Sequence, residues 1–160
     1  MANPFVHIEL STGDLAKAKD FYGRLFDWEL QDTPMPGGGT YTMINVGGGV
    51  GGGMMKSPSP GVPPHWLAYV GVNDVASSTR KAKELGAKVV VDKTEVGSFG
   101  WMSVITDPTG ATFALWQGKE GQGKQTQQQG GSRINSRADI TRGSRAYRPR
   151  PSLDEVTWAR

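Results

Sequence analysis

Phe5-Val6-His7-Ile8-Glu9-Leu10, passing through Ser11-Thr12-Gly13 into Asp14-Leu15-Ala16-Lys17-Ala18-Lys19-Asp20-Phe21-Tyr22, decides the fold. The first six residues are strand formers bounded by Pro4 and Ser11, and they read as a strand. From Asp14 the period changes. Apolar residues at Leu15, Ala18, Phe21, Tyr22 and Leu25 are spaced by three and four, which puts them on one face of a helix. Short strands follow at Trp28 to Gln31, Thr40 to Val46 and Gly49 to Met55, separated by turns rich in proline and glycine.

The order then repeats. Ser57 to Pro64 is a Pro/Ser linker into a strand from His65 to Val72. Asp74 is placed as the N-cap of a helix with Val75, Thr79, Ala82 and Leu85 inward and Gly86 at its C′ position. Val89-Val90-Val91 is a strand. Trp101–Thr106 and Ala111–Trp116 form a hairpin about Asp107-Pro108-Thr109-Gly110, whose Pro and Gly suit a type I turn. Laying Asp14-Leu15 on Asp74-Val75 gives an offset of 60 residues. The expected fold is α+β: two βαβββ modules, 4–56 and 64–118, with curled mixed sheets. Each has too few strands to close, so the two pair and enclose a cavity.

Beyond Gly118 the composition changes. Residues 119–160 are Gln/Gly-rich and then Arg/Ser/Pro-rich, with no periodic apolar face, and predict a disordered or extended basic tail. The net charge of +3 belongs to this tail, which holds 9 Lys+Arg against 4 Asp+Glu. Residues 1–118 hold 9 against 11, so no phosphate-binding face is indicated there. The arginines from Arg133 to Arg150 have only Tyr147 among them, which makes no stacking platform, and nucleic acid is not an expected partner. A third reading, from another class, makes the tail a recruiter of a protein partner. Cysteine is absent, which removes thiolate metal sites and disulfides. No apolar run is long enough for a membrane span and no secretory signal opens the chain, so a cytoplasmic location is expected.

Residues 5 to 118 resemble the vicinal oxygen chelate superfamily of glyoxalase I, bleomycin- and fosfomycin-resistance proteins and extradiol dioxygenases. The resemblance is carried by His7-Ile8-Glu9-Leu10, Asp14 to Tyr22, and Leu25-Phe26-Asp27-Trp28. The second half adds Asn73-Asp74-Val75, Lys83-Glu84-Leu85-Gly86-Ala87, and Asp107-Pro108-Thr109-Gly110 running into Phe113-Ala114-Leu115-Trp116. Gly51-Gly52-Gly53-Met54 and Pro64-His65-Trp66 look like an uncharacterised bacterial glyoxalase-like branch. The resemblance implies a homodimer, with module exchange across the Ser57–Pro64 linker as one form of it.

It also implies a divalent metal held by one side chain from the first and last strand of each module. His7 matches the first position. The equivalent spacing before Asp74 falls on Leu67, the last-strand carboxylate falls at Ala114, and the fourth position lies within Gly49 to Met55, which has no His, Asp or Glu. A displaced set of His7, Glu9 and His65 is the alternative, since two histidines and one carboxylate form a recognised ligand set. His65 is about 6.6 Å along the strand from Leu67. Polar groups lining a wet cavity are the favoured reading, with no metal.

Alternation along three strands then lines the cavity with His7, Glu9, His65, Leu67, Tyr69, Ala114 and Trp116. Ala114, in place of a carboxylate, is expected to make it roomier. Trp116 and Trp101 are candidate stacking surfaces, with core packing an equal explanation for each. Glu9 beside His7 is the candidate pair for proton chemistry. Gly47-x-Gly49-x-x-Gly52 lacks the helix that a dinucleotide fingerprint requires, and reads as close backbone approach. The expected function is small-molecule binding. A lyase, isomerase or dioxygenase on the displaced metal set is the alternative.

Overall fold

The computed structural model describes residues 2–119. The tail expectations therefore lie outside the described residues. β1 (Phe5–Thr12), α1 (Leu15–Leu25), β2 (Glu29–Pro34), β3 (Thr40–Asn45) and β4 (Gly52–Lys56) form one βαβββ unit. β5 (His65–Gly71), α2 (Val75–Glu84), β6 (Lys88–Val96), β7 (Gly100–Thr106) and β8 (Thr112–Gly118) form the next. All eight strands join one open mixed sheet in the order β2-β3-β4-β1-β5-β8-β7-β6. The units meet edge to edge through the antiparallel pair β1–β5. Inside each, the first strand runs parallel to the last, β1 to β4 and β5 to β8.

Local chemistry places the helices. Asp14 accepts from the Lys17 N–H and Asp74 from the Ser77 N–H, so both helices begin on a capped donor. Gly86, just past the end of α2, sits at φ 94°, where a side chain would be strained. In the β7–β8 turn Asp107 binds the N–H groups of Thr109 and Ala111, and Gly110 takes φ 101°. The Thr109 hydroxyl, which also donates to Asp107 at 2.7 Å, together with these N–H groups holds the Asp107 carboxyl below its ordinary range.

Register puts both helices on the same face. α1 packs on Leu10, Ile44 and the fully buried Met54. α2 packs on Ile105 and Leu115 through Val75, and Thr79 there bonds the buried Ser103 hydroxyl at 2.7 Å. The helical stripes are wider than the core they meet. Phe21 and Leu25 of α1 stay more than half exposed, and Leu85, expected inward, is the exposed C-cap of α2.

Among the described residues the opposite face carries no helix, yet Leu67, Tyr69, Val104 and Ala114 on it are buried together. Their cover comes from other strands of the same sheet: Val91, Met102 and Trp116 pack against them. The second module therefore fills its own half of this face, and the first leaves its half accessible. Among the described residues no helix is long and apolar enough to cross a membrane.

Candidate functional site

His7 and Glu9 lie two apart on β1, in the centre of the sheet, and so share the helix-free face. Across the β1–β5 seam His7 pairs with Tyr69 and Glu9 with Leu67. Glu9 pairs with Gly53 on β4, as Tyr69 pairs with Ala114 on β8. The 60-residue offset thus survives as a pseudo-twofold relation, and it resolves the fourth family position to Gly53, the counterpart of Ala114.

The void above Gly53 is occupied. Tyr41, from β3, lays its ring across it: a Cβ built on Gly53 would stand 2.2 Å from the Tyr41 hydroxyl oxygen and 2.3 Å from Cζ. From there the hydroxyl donates to Glu9 Oε2 at 2.9 Å and lies 2.7 Å from His7 Nε2. Tyr69 donates to Glu9 Oε1 at 3.1 Å, and its ring meets the His7 ring edge-on at 5.5 Å. Two phenols and an imidazole therefore converge about one carboxylate.

Burial sets the protonation of this cluster. It raises Glu9 above its ordinary 4.5, partly offset by the two tyrosine hydroxyls and by attraction to His65. Burial lowers His7 below its ordinary 6.5. Both tyrosines are pushed up, first by burial and then by the charge of Glu9, and stay protonated throughout the neutral range.

Seven of the eight expected lining residues alternate onto this face: His7, Glu9, His65, Leu67, Tyr69, Ala114 and Trp116. His65 is exposed at the start of β5, opposite Ser11, with Nδ1 2.8 Å from the Pro63 carbonyl. Trp101 is on the other face. It pairs with Gln117, not Trp116, packs in the α2 cluster, and carries Lys93 and Lys119 over its ring at 5.3 and 5.1 Å. The expectation for Trp101 failed because a one-residue difference in register reverses the face. Nor does Ala114 open space: it is fully buried within the second module's cluster.

The residues present do not fit the metal that the resemblance implies. Leu67, Gly53 and Ala114 bring no donor, and both oxygens of Glu9 and the Nε2 of His7 already bond tyrosine hydroxyls. Among the described residues no three His, Asp or Glu side chains group in a way that could hold a metal ion, so the displaced set of His7, Glu9 and His65 is not assembled. Tyr41 is the member of the cluster that the sequence did not reveal. Strand alternation in Tyr41-Thr42-Met43-Ile44, beside glycines that mark a close approach, was the available signal.

Two βαβββ units are paired in one sheet, with a polar cluster at the seam of their first strands. The chain belongs to the glyoxalase/bleomycin resistance protein/dioxygenase superfamily, whose family model matches residues 5–115. It is 40% identical over 114 residues to the "Putative glyoxylase CFP32" of Mycobacterium tuberculosis, covering 69% of this chain and 44% of that one. It is 28% identical over 123 residues to the anthracycline biosynthesis protein DauV of Streptomyces sp. strain C5, covering 68% and 45%. The chain thus spans less than half the length of these relatives. Methylmalonyl-CoA epimerase from Mycobacterium tuberculosis superposes with a TM-score of 0.57 at 15% identity, over 72% of this chain and 87% of that one. Hypothetical protein BH1468 from Bacillus halodurans C-125 does so at 0.59 and 17%, over 75% and 97%. At these identities the structural likeness concerns the fold alone.

Proposed function

We propose that the protein binds a flat, polar aromatic small molecule on the first-module half of the helix-free face, without a metal at the family's four positions. The observation that carries this reading is the tyrosine-bridged cluster in which His7, Glu9 and Tyr41 are partly buried and Tyr69 is buried, beside the exposed Met43 and the ring of Trp116. A few convergent polar groups beside apolar and aromatic surface is how small-molecule sites are commonly built. The likeness to an anthracycline biosynthesis protein supports a polycyclic ligand class.

The test is a fluorescence titration with an anthracycline. Saturable binding in the parent, weakened about tenfold in His7→Ala, is the expected result, tenfold corresponding to about 1.4 kcal/mol. Equal binding by parent and variant would remove the cluster from the site, and absence of binding would remove the ligand class.

We also propose a homodimer. α1 covers β2, β4 and Leu10 of β1, and α2 covers β6 to β8, which leaves Ile8 and Trp66 of the β1–β5 seam exposed. Ile8, Phe21, Leu25, Phe26 and Trp66 are exposed along this seam and the adjoining face of α1, and contiguous exposed apolar surface marks an interface. Light scattering on the full chain should give twice the chain mass. The double variant Leu25→Glu, Trp66→Lys should give the single mass with an unchanged circular dichroism spectrum. A monomeric parent would refute the proposal.

A further inference from the structure

The geometry points to Tyr41, whose ring fills the space over Gly53, as the hub of the cluster, holding His7 as the Nε2–H tautomer and leaving Nδ1 as the acceptor a bound molecule meets with an O–H or N–H. This deepens the binding reading above and rests on it for the ligand, but not for the tautomer.

The direction of each hydrogen bond follows from counting protons. Tyr41 has one hydroxyl proton and two neighbours, Glu9 Oε2 at 2.9 Å and His7 Nε2 at 2.7 Å. Tyr69 gives its own proton to the other oxygen of Glu9. An ionised carboxylate accepts only, so the Tyr41 proton lies toward Glu9. The His7 contact is then a hydrogen bond only if Nε2 carries the proton and donates to the Tyr41 oxygen. The chain runs one way: His7 Nε2–H to Tyr41, Tyr41 O–H to Glu9.

The other ring nitrogen is left open. Among the described residues His7 Nδ1 has no hydrogen-bond partner, yet no buried side-chain nitrogen or oxygen lacks one. Nδ1 therefore reaches solvent. Burial favours the neutral ring, which leaves this nitrogen as a lone pair. Both Glu9 oxygens are engaged and both tyrosine protons are spent on them, so the accessible, uncommitted polar atom of the cluster is an acceptor. A phenol, an enol or an amide N–H satisfies it. A ligand that offers only ether or carbonyl oxygens there faces a lone pair. Gly53 makes the arrangement possible, because any side chain there would take the space of the Tyr41 ring.

The protein supplies its own control. It has two histidines, and His65, with Nδ1 2.8 Å from the Pro63 carbonyl, is held as the opposite tautomer, Nδ1–H. Nitrogen-15 NMR of the full chain near pH 7.5 should show a protonated Nε2 and a bare Nδ1 for His7, and the reverse for His65. Tyr41→Phe should turn His7 into an exchanging mixture of tautomers without moving His65. A His7 found as Nδ1–H, or unaffected by Tyr41→Phe, would overturn the inference.

The ligand arm compares 2-naphthol with 2-methoxynaphthalene by shift titration. The phenol should bind about fivefold more tightly, and the difference should vanish in His7→Phe. Equal binding of the two overturns the donor requirement. Failure of both to bind counts against the binding reading, while the tautomer measurement decides the hub by itself.

Discussion

Gly52→Ala is expected to destabilise the domain by about 3 kcal/mol, whereas Gly53→Ala, one residue along, is expected to cost about 1 kcal/mol and to dismantle the site. The two glycines face opposite sides of β4 and meet different obstacles. A Cβ on Gly52 would lie 2.2 Å from the Ile8 carbonyl oxygen and 3.3 Å from its carbon. Those atoms belong to β1, which pairs with Gly52 in register and holds the Gly51 carbonyl through the Ile8 N–H. Backbone in the middle of an eight-stranded sheet yields only by opening the ladder. A Cβ on Gly53 meets a side chain, the Tyr41 ring, which can swing away toward solvent. Its departure leaves His7 without its partner and Glu9 with one tyrosine, at a partly buried place that water can enter once the ring has left. Urea midpoints would measure the first effect and the anthracycline titration the second. An unchanged midpoint for Gly52→Ala would mean that β4 does not approach β1 as closely as described.

That contrast also marks how far the sequence carries. Features decided within a few residues were legible: Asp14 and Asp74 as caps, Gly86 in the left-handed region, the Asp107 turn, the order βαβββ twice. So was membership of one sheet face along a single strand, which placed His7 with Glu9 and Leu67 with Tyr69. What could not be read is register between strands distant in sequence. Tyr41 reaches Glu9 across β4, and this depends on the β3–β4 and β4–β1 alignments together. Trp101 fell on the wrong face for the same reason, its partner being Gln117. The extent of burial was equally hidden. The apolar spacing of α1 includes Phe21 and Leu25, but only the placement of the helix over β2 and β4 decides that they stay exposed. The glycine run carried a true signal of close approach, without telling that one glycine admits a backbone and the next a ring.

Stability against pH should change the sign of its slope between two single variants, Glu9→Gln and His7→Gln, over the range from 4.5 to 6.5. Glu9 has a folded pKa above its ordinary 4.5, chiefly through burial. The folded chain therefore holds this proton more tightly than the unfolded chain. The associated stability is fully present below 4.5 and is lost as pH rises through the raised value. His7 has a folded pKa below its ordinary 6.5, again through burial. Its contribution is fully present above 6.5 and is lost as pH falls through the lowered value. In the parent the two slopes oppose each other, and the profile across this interval is shallow. Glu9→Gln leaves the histidine alone, so stability should rise with pH up to 6.5 and at pH 7 equal or exceed that of the parent. The amide keeps the cluster satisfied, accepting from one tyrosine and donating to the other, while the Tyr69 proton turns to Met102 Sδ at 3.9 Å. His7→Gln retains a donor toward Tyr41 and leaves the carboxylate alone, so stability should fall as pH rises above 4.5. Tyr41 and Tyr69 remain protonated across the range. The exposed carboxyls of Asp32, Glu95 and Asp107 are held below their ordinary values by hydrogen bonds from Lys19, Lys119 and Thr109 respectively, and their windows lie below this interval in every variant. Urea midpoints at half-unit steps from pH 4.5 to 8 would give the three profiles. Parallel profiles would mean that His7 and Glu9 titrate alike in folded and unfolded chains, which requires a wetter cluster than four converging side chains on a helix-free sheet can form.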